Sequence, residues 1–300
     1  MNPLPAGFNA GPLDLTRPLD NQVALLKLQA DLSGAPVIGI FPGKAWLWIP
    51  GEANYPAFDT YGVGASRLEF SEAEGGWRFY HREALLFTDP ASGEVLQTWK
   101  NPVTGMEVEV MHVVNDPVQR FYPLSGGPFA PPYPHIVNGD YLVYQLDVLR
   151  PPAPGANPLN RREYPLHAQQ DLYQTGEFWA VSGSLSAVND PMRTHVPSHT
   201  AWSRVSMWDP FMEMGNRPGL AIYHSQAFTA TNGIDDIPPR IRRWLEKHQP
   251  QLLVAPYAPV DWAGGRQENR WTAAKRVIDQ RRKEGRAVGE SVFGVFPPRE

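Results

Sequence analysis

From residue 36 to residue 234 the chain is cut by Gly, Pro and Asn into short runs, most of which alternate apolar and polar residues. Such runs read as strands, and the breaks between them read as turns. "VIGIF" and "AWLWI" flank Pro42-Gly43-Lys44, which predicts a hairpin turn. "SRLEF" and "GWRFYHREALLF" flank a Glu/Gly turn, and "EVLQTW" follows "TDPASG". "MEVEVMHVV" predicts one strand from Met106 to Val114. "DYLVYQLDVL", "GEFWAVSGSLSAV", "TAWSRVSMW" and "GLAIYHSQAFTA" continue the series. Short turns between consecutive strands favour antiparallel pairing. The 32 prolines and 26 glycines are spread among the apolar runs, which fits turns and not disorder.

At least nine strands must hide their edges, and closing into a barrel does so. The expected fold is mainly β: a large antiparallel, lipocalin-like (calycin-like) β-barrel with flanking helices. One helix is expected from an Asp20 N-cap to about Leu32, a second from Pro238-Pro239 to about His248, and a third from about Arg270 to Glu284. The basic cluster Lys275, Arg276, Arg281, Arg282 and Lys283 reads as a solvated face of that last helix. The organisation is then an irregular arm (1–19), one domain (20–284) and a tail (285–300). The long loops 123–139 and 151–171 have the length of lids or binding loops.

Composition removes several function classes. The net charge of −4 argues against nucleic-acid binding. There is no cysteine, hence no disulfide, thiolate metal site or cysteine nucleophile. The first residues have neither a basic n-region nor an apolar h-region, and no run of 18 apolar residues occurs, so the expected location is the cytoplasm, away from membranes. G-x-S-x-G, P-loop and G-x-G-x-x-G patterns are missing.

Side chains alternate along a strand, so each strand has two faces. Met106, Val108, Val110, His112 and Val114 share one face of their predicted strand. Trp202, Arg204, Ser206 and Trp208 share another, as do Leu220, Ile222, His224, Gln226 and Phe228. Asp147 sits among Tyr141, Val143, Gln145 and Leu149. On "GWRFYHREALLF", Arg78, Tyr80 and Arg82 oppose Trp77, Phe79, His81 and Glu83. A lone ionisable group in a dry core is costly, so such groups either pair or line a ligand cavity. The second option predicts a cavity lined by His112, Arg204, His224 and Asp147. In it His112 or His224 is the general acid/base and Arg204 holds an anion. Tyr80, Arg82, Tyr144 and Tyr223 are candidate ligand contacts. So are Trp99, Asn101, Trp202, Trp208, Met212 and Met214. The expected protein is a lyase or isomerase without organic cofactor, acting on a small apolar aromatic or terpenoid-like molecule. Two alternatives stand beside it: a non-catalytic carrier of an apolar ligand, and a metal-dependent enzyme using His112, His195, His199 or His224. A strand edge or the aromatic loop 121–137 is a candidate homodimer contact.

Three stretches carry a resemblance: "DPASGEVLQTWKNPVTGMEVEVMHVVNDPV" (89–118), "WSRVSMWDPFMEMGNRPG" (202–219) with "LAIYHSQ", and "LLKLQADLSGAPVIGIFPGKAWLWIPGE" (25–52). Together they resemble the domain-of-unknown-function family 1838 (DUF1838) over about residues 20–275. The resemblance implies hallmark positions at Trp99, Asn101, Thr104, His112, Asn115 and Asp116, and at Arg204, Trp208, Met212, Met214 and Gly215. It implies no activity. Ala65 stands where the family has a glycine-asparagine pair.

Overall fold

The computed structural model describes residues 12–124, 132–153, 157–256 and 270–285. Helix α1 (Pro18–Gln29) precedes β1 (Val37–Trp48), β2 (Tyr55–Ser71), β3 (Gly76–Thr88), β4 (Thr98–Lys100) and β5 (Glu107–Glu109). Then come β6 (Val113–Pro123), β7 (His135–Asn138), β8 (Tyr141–Ala153), β9 (Tyr173–Ser184), the short helix α2 (Leu185–Asn189), β10 (His199–Ser206) and β11 (Leu220–Thr229). Helices α3 (Pro239–His248) and α4 (Arg270–Lys283) follow. Of the predicted arm, loops and tail, residues 1–11, 125–131, 154–156 and 286–300 lie outside the described residues.

Nine strands form one antiparallel sheet in the order β6-β3-β2-β1-β11-β10-β9-β8-β7, and β4 and β5 form a separate ribbon. The fold is therefore mainly β with few helices. The ladder ends at β6 on one side and β7 on the other, and among the described residues these two strands do not pair. The sheet nevertheless curls, because side chains of β6 and of β9 and β10 line one common cavity. Helix α1 lies inside the curl. It is buried from Asp20 to Leu28, as a helix enclosed on all sides must be. Its leucines pack against Trp77, Tyr122, Leu142 and Tyr144, which come from both ends of the sheet. Among the described residues no helix is long and apolar enough to cross a membrane.

Four local expectations are corrected. Residues 42–44 form no hairpin turn; β1 runs straight through them. Its pairing with β11 skips Phe41 and Pro42, so the missing proline N–H falls where the ladder is already open. The run 106–114 is not one strand. β5 pairs with β4 and β6 pairs with β3, and the chain changes partners at Val110-Met111-His112. Asp20 is not a cap but lies in the first turn of α1, which begins at Pro18, where proline's fixed φ suits a helix start. Finally, Arg281 is not solvated. It is buried and its Nη2 meets Glu109 Oε2 at 2.5 Å, so α4 is pinned to β5 by an enclosed ion pair.

Gly43 lies close against β11, opposite Ser225. A Cβ there would stand 2.4 Å from the His224 carbonyl oxygen and 2.5 Å from the Ser225 Cβ. Both neighbours are close to rigid backbone. Gly43→Ala is expected to lower unfolding free energy by about 1–3 kcal/mol through overpacking, measured by urea denaturation.

Candidate functional site

The curl encloses a cavity of about 410 Å³, within the usual size range of small-ligand pockets. On β1 and β2 the wall is formed by Val37, Gly39, Phe41, Gly64 and Ser66, and Phe41 lies across Gly62, whose added Cβ would fall 1.6 Å from the Phe41 ring. Aromatic surface comes from Phe41, Phe79, Trp179 and Trp202. The two indoles sit side by side with ring centroids 5.8 Å apart.

The polar part of the wall comes from β3, β6, β9 and β10. On β3 the inward face is the one carrying Phe79, His81, Glu83 and Leu85. His81 Nε2 and Glu83 Oε2 are 3.2 Å apart. Asn115 Nδ2 of β6 donates to Glu83 Oε1 at 2.5 Å. Burial pushes the Glu83 carboxyl up. The hydrogen bond and charge of His81, the Asn115 amide and the Arg120 charge outweigh it and bring it to about 2. Glu83 is thus a carboxylate at any ordinary pH. His81 Nδ1 is enclosed and has no partner. The β3–β6 register shifts between His81 and Glu83: Val118 faces His81 and Asn115 faces Glu83, so β6 carries one extra residue there. Such a bulge re-aims side chains, and Pro117, without an N–H, is suited to it.

Across the cavity, Arg204 Nη1 donates to Glu177 Oε1 at 3.0 Å and Nη2 to the Tyr173 hydroxyl at 2.9 Å. The Trp202 indole N–H donates to Glu177 Oε2 at 3.3 Å. Arg204 and Glu177 are direct cross-strand partners on β10 and β9. Arg270, at the start of α4, also lines the cavity, and its Nη1 donates to both oxygens of Asp209, at 3.0 and 2.8 Å. Tyr223 donates to the same carboxylate, and burial, then the Asp209 charge, holds its phenol well above its ordinary range. Arg120 reaches in from β6 opposite Phe79. It is exposed, although it lies deep in the molecule, so the surface it exposes is cavity wall.

Of the residues expected from sequence, the structure brings Trp202 and Arg204 together in the cavity, with Tyr223 behind its wall. His112 does not share that hollow. It lines only a void of about 10 Å³. The Phe87 N–H donates to its Nδ1 at 3.1 Å, and its ring meets Trp244 edge-on. It thus takes a backbone hydrogen bond where β5 has ended and β6 has not begun. Burial drives it down to about 4, against the hydrogen bond with the Leu96 backbone, so it is a neutral core histidine.

His224 and Asp147 are exposed on the outer face. His224 there contacts Ser203 Oγ at 2.7 Å. Tyr80 bonds Glu69 and Arg82 bonds the Gln251 carbonyl, both on the face opposite His81. Tyr144 donates to the Asn21 carbonyl of α1. Trp99, Trp208, Met212 and Met214 belong to a solid core cluster. Asn101 bonds the Met212 carbonyl and accepts from the Val103 and Thr104 N–H groups, which is a turn-capping role. His199 and His224 share the Gln226 side chain, whereas His195 bonds the Ala30 carbonyl and His112 is buried in the core, so the four histidines proposed for a metal do not converge. Among the described residues no group of three or more His, Asp or Glu is placed to hold a metal ion.

Sequence reasoning missed His81, Glu83, Asn115, Arg120 and Glu177. The i, i+2 spacing of His81 and Glu83 on a strand was the available signal. The curled sheet and its polar-walled cavity define a mainly β protein with a ligand-sized hollow. The family model "Protein of unknown function (DUF1838)" matches residues 35–275, and the chain belongs to that family. The search of curated proteins found no match.

The His112 environment makes a pH prediction. Its ordinary value is 6.5 and its folded value about 4. Between these, the unfolded chain binds a proton that the folded protein does not. Stability is therefore full above pH 6.5 and falls as pH drops to 4, by something of the order of 3 kcal/mol. Urea unfolding at pH 7 and pH 4.5 is expected to show this slope in the wild type and a smaller slope in His112→Gln.

Proposed function

We propose that the protein is an acid/base enzyme, a lyase or isomerase working without an organic cofactor, on a small ring-bearing apolar molecule held in the cavity. The single observation that carries this is the His81–Glu83 pair facing a ligand-sized hollow walled by aromatic rings. The side chains of both residues retain accessible surface, 19% and 29%. Histidine is the side chain that exchanges protons most readily near neutral pH. Glu83 holds the Nε2 edge of the imidazole, and Asn115 holds the other carboxylate oxygen. The exchangeable proton is the one at Nε2, on the edge shared with Glu83. The roles first assigned to His112 and His224 pass to His81.

The curled sheet acts in this reading as the wall of a calycin-like barrel, closed in effect by α1. A carrier of a purely apolar ligand has no use for so many ionised groups in its wall. Charged side chains concentrated in a cleft are the more usual mark of a reaction site.

The test is deuterium wash-in. The full chain is incubated in D₂O with a panel of cyclic ketones and enones, and loss of C–H signal is followed by proton NMR. The wild type is expected to exchange one C–H of at least one compound. His81→Gln and Glu83→Gln should each slow it by roughly 10²–10⁴-fold, and His224→Ala, on the outer face, should not. Exchange that survives His81→Gln overturns the assignment. Binding without exchange supports the carrier.

A further inference from the structure

The cavity contains three guanidinium groups, and they are not equivalent. Arg204 is committed to Glu177 and Tyr173. Arg270 is committed to both oxygens of Asp209 and lies over the Tyr223 ring, 4.9 Å from its centroid. Arg120 is different. Among the described residues no carboxylate lies within ion-pairing distance of it; it feels Glu83 and Glu177 only at longer range, and its near polar neighbour is the Tyr122 phenol. A guanidinium has five N–H donors in a rigid fork and no acceptor. One phenol cannot satisfy them, and Arg120 presents the remainder to the cavity. The carboxylates that could have neutralised it are already engaged, Glu83 by His81 and Asn115 and Glu177 by Arg204 and Trp202.

From this we infer that the ligand is an aromatic or otherwise flat carboxylate, its carboxylate gripped by the Arg120 fork and its ring laid between the Trp179–Trp202 side and the glycine-lined wall of β1 and β2. The inference rests on the reading of this cavity as the functional site. It moves the anion-holding role from Arg204 to Arg120. Planar, bidentate recognition is what arginine offers a carboxylate. The His81 imidazole packs directly on Gly64, where an added Cβ would stand 2.6 Å from its Cε1, and the register partner Gly39 leaves an open patch beside the ring. A ring resting there brings its substituents beside the His81–Glu83 edge.

The experiment compares 1-naphthoate with its neutral isostere 1-naphthamide, by isothermal titration calorimetry on the full chain. The wild type is expected to bind naphthoate roughly ten- to a hundredfold tighter than naphthamide. Arg120→Gln should bring the two within about twofold by losing naphthoate affinity alone, with folding checked by thermal melting. Arg120→Lys keeps the charge but not the fork and should retain part of the preference; it serves if the glutamine variant does not fold. Equal affinities in the wild type, an undiminished preference in either variant, or no binding of either probe overturns the inference. The measurement is independent of turnover. A carboxylate preference without deuterium wash-in leaves the ligand class standing and removes the enzyme, whereas wash-in without the preference does the reverse.

Discussion

Everything in this molecule depends on α1 joining the two ends of an open sheet. Among the described residues the ladder ends at β6 and β7, each with one edge unpaired, and nothing in the ladder itself keeps the ends together. The helix supplies the missing tie with its polar side chains. Gln22 bonds the Pro123 carbonyl and Gln29 accepts from the Tyr122 hydroxyl, both on β6. Asn21 bonds the backbone of Tyr133, ahead of β7, and its own carbonyl accepts from Tyr144 on β8. Lys27, fully buried, donates to the carbonyls of Val188 and Asp190 at the end of α2. Burial lowers its ammonium to about 8, a cost accepted for two hydrogen bonds that fix the helix position. Because α1 occupies one end of the curl, the hollow is confined to the remainder, where Leu28 and Gln29 form part of its wall.

The curvature itself comes from places where pairing is interrupted. β1 loses contact with β11 at Phe41-Pro42, and β6 gains a residue on β3 at Asp116-Pro117. Each interruption lets a strand bend, and each lies next to cavity-lining groups: Phe41 in the first case, His81, Glu83 and Asn115 in the second. Bulges near functional sites commonly do this. The same irregularities that shape the hollow also aim the groups that face into it.

These interruptions explain what the sequence disclosed and what it hid. Strand content, antiparallel pairing and the positions of α3 and α4 follow from periodicity and turn chemistry, which are local. Pro42 reads as part of a hairpin turn because proline usually ends a strand, and no strand is expected around Pro117. In fact each sits inside one, at a point where the ladder needs no N–H. The strand expected from Met106 to Val114 stops short of Arg120, so the inward face of β6 that carries it was not legible. The face lists for "TAWSRVSMW" and "GWRFYHREALLF" hold within β10 and β3, since alternation is local, although Trp208 lies past the end of β10. Which list faces inward is a property of the sheet as a whole, and it sends Arg204, His81 and Glu83 in but Tyr80, Asp147 and His224 out. His112 misled for another reason. Its value as a hydrogen-bond acceptor for Phe87 arises only where the chain changes strand partners, which no periodicity reports.

The charges around the cavity divide by whether their partners are built in. Arg204–Glu177 and Arg270–Asp209 are complete pairs, each with a tyrosine hydroxyl attached. Enclosed ion pairs of this kind rarely add much stability, because desolvation consumes most of their attraction. Their effect here is positional. One locks β9 to β10, and the other fastens the start of α4 to the turn after β10. Apart from the enclosed Arg204 Nε, which has no partner, those four groups satisfy one another, and the electrostatic character of the hollow is set by what remains: a carboxylate held ionised, an imidazole against it, and a guanidinium with donors to spare. In the proposed reading, a ligand entering this space supplies acceptors for Arg120 and a site for the proton on the His81–Glu83 edge. The two demands arise side by side on neighbouring strands β3 and β6, so in the proposed reading one molecule can meet both, held by one end and worked on at the other.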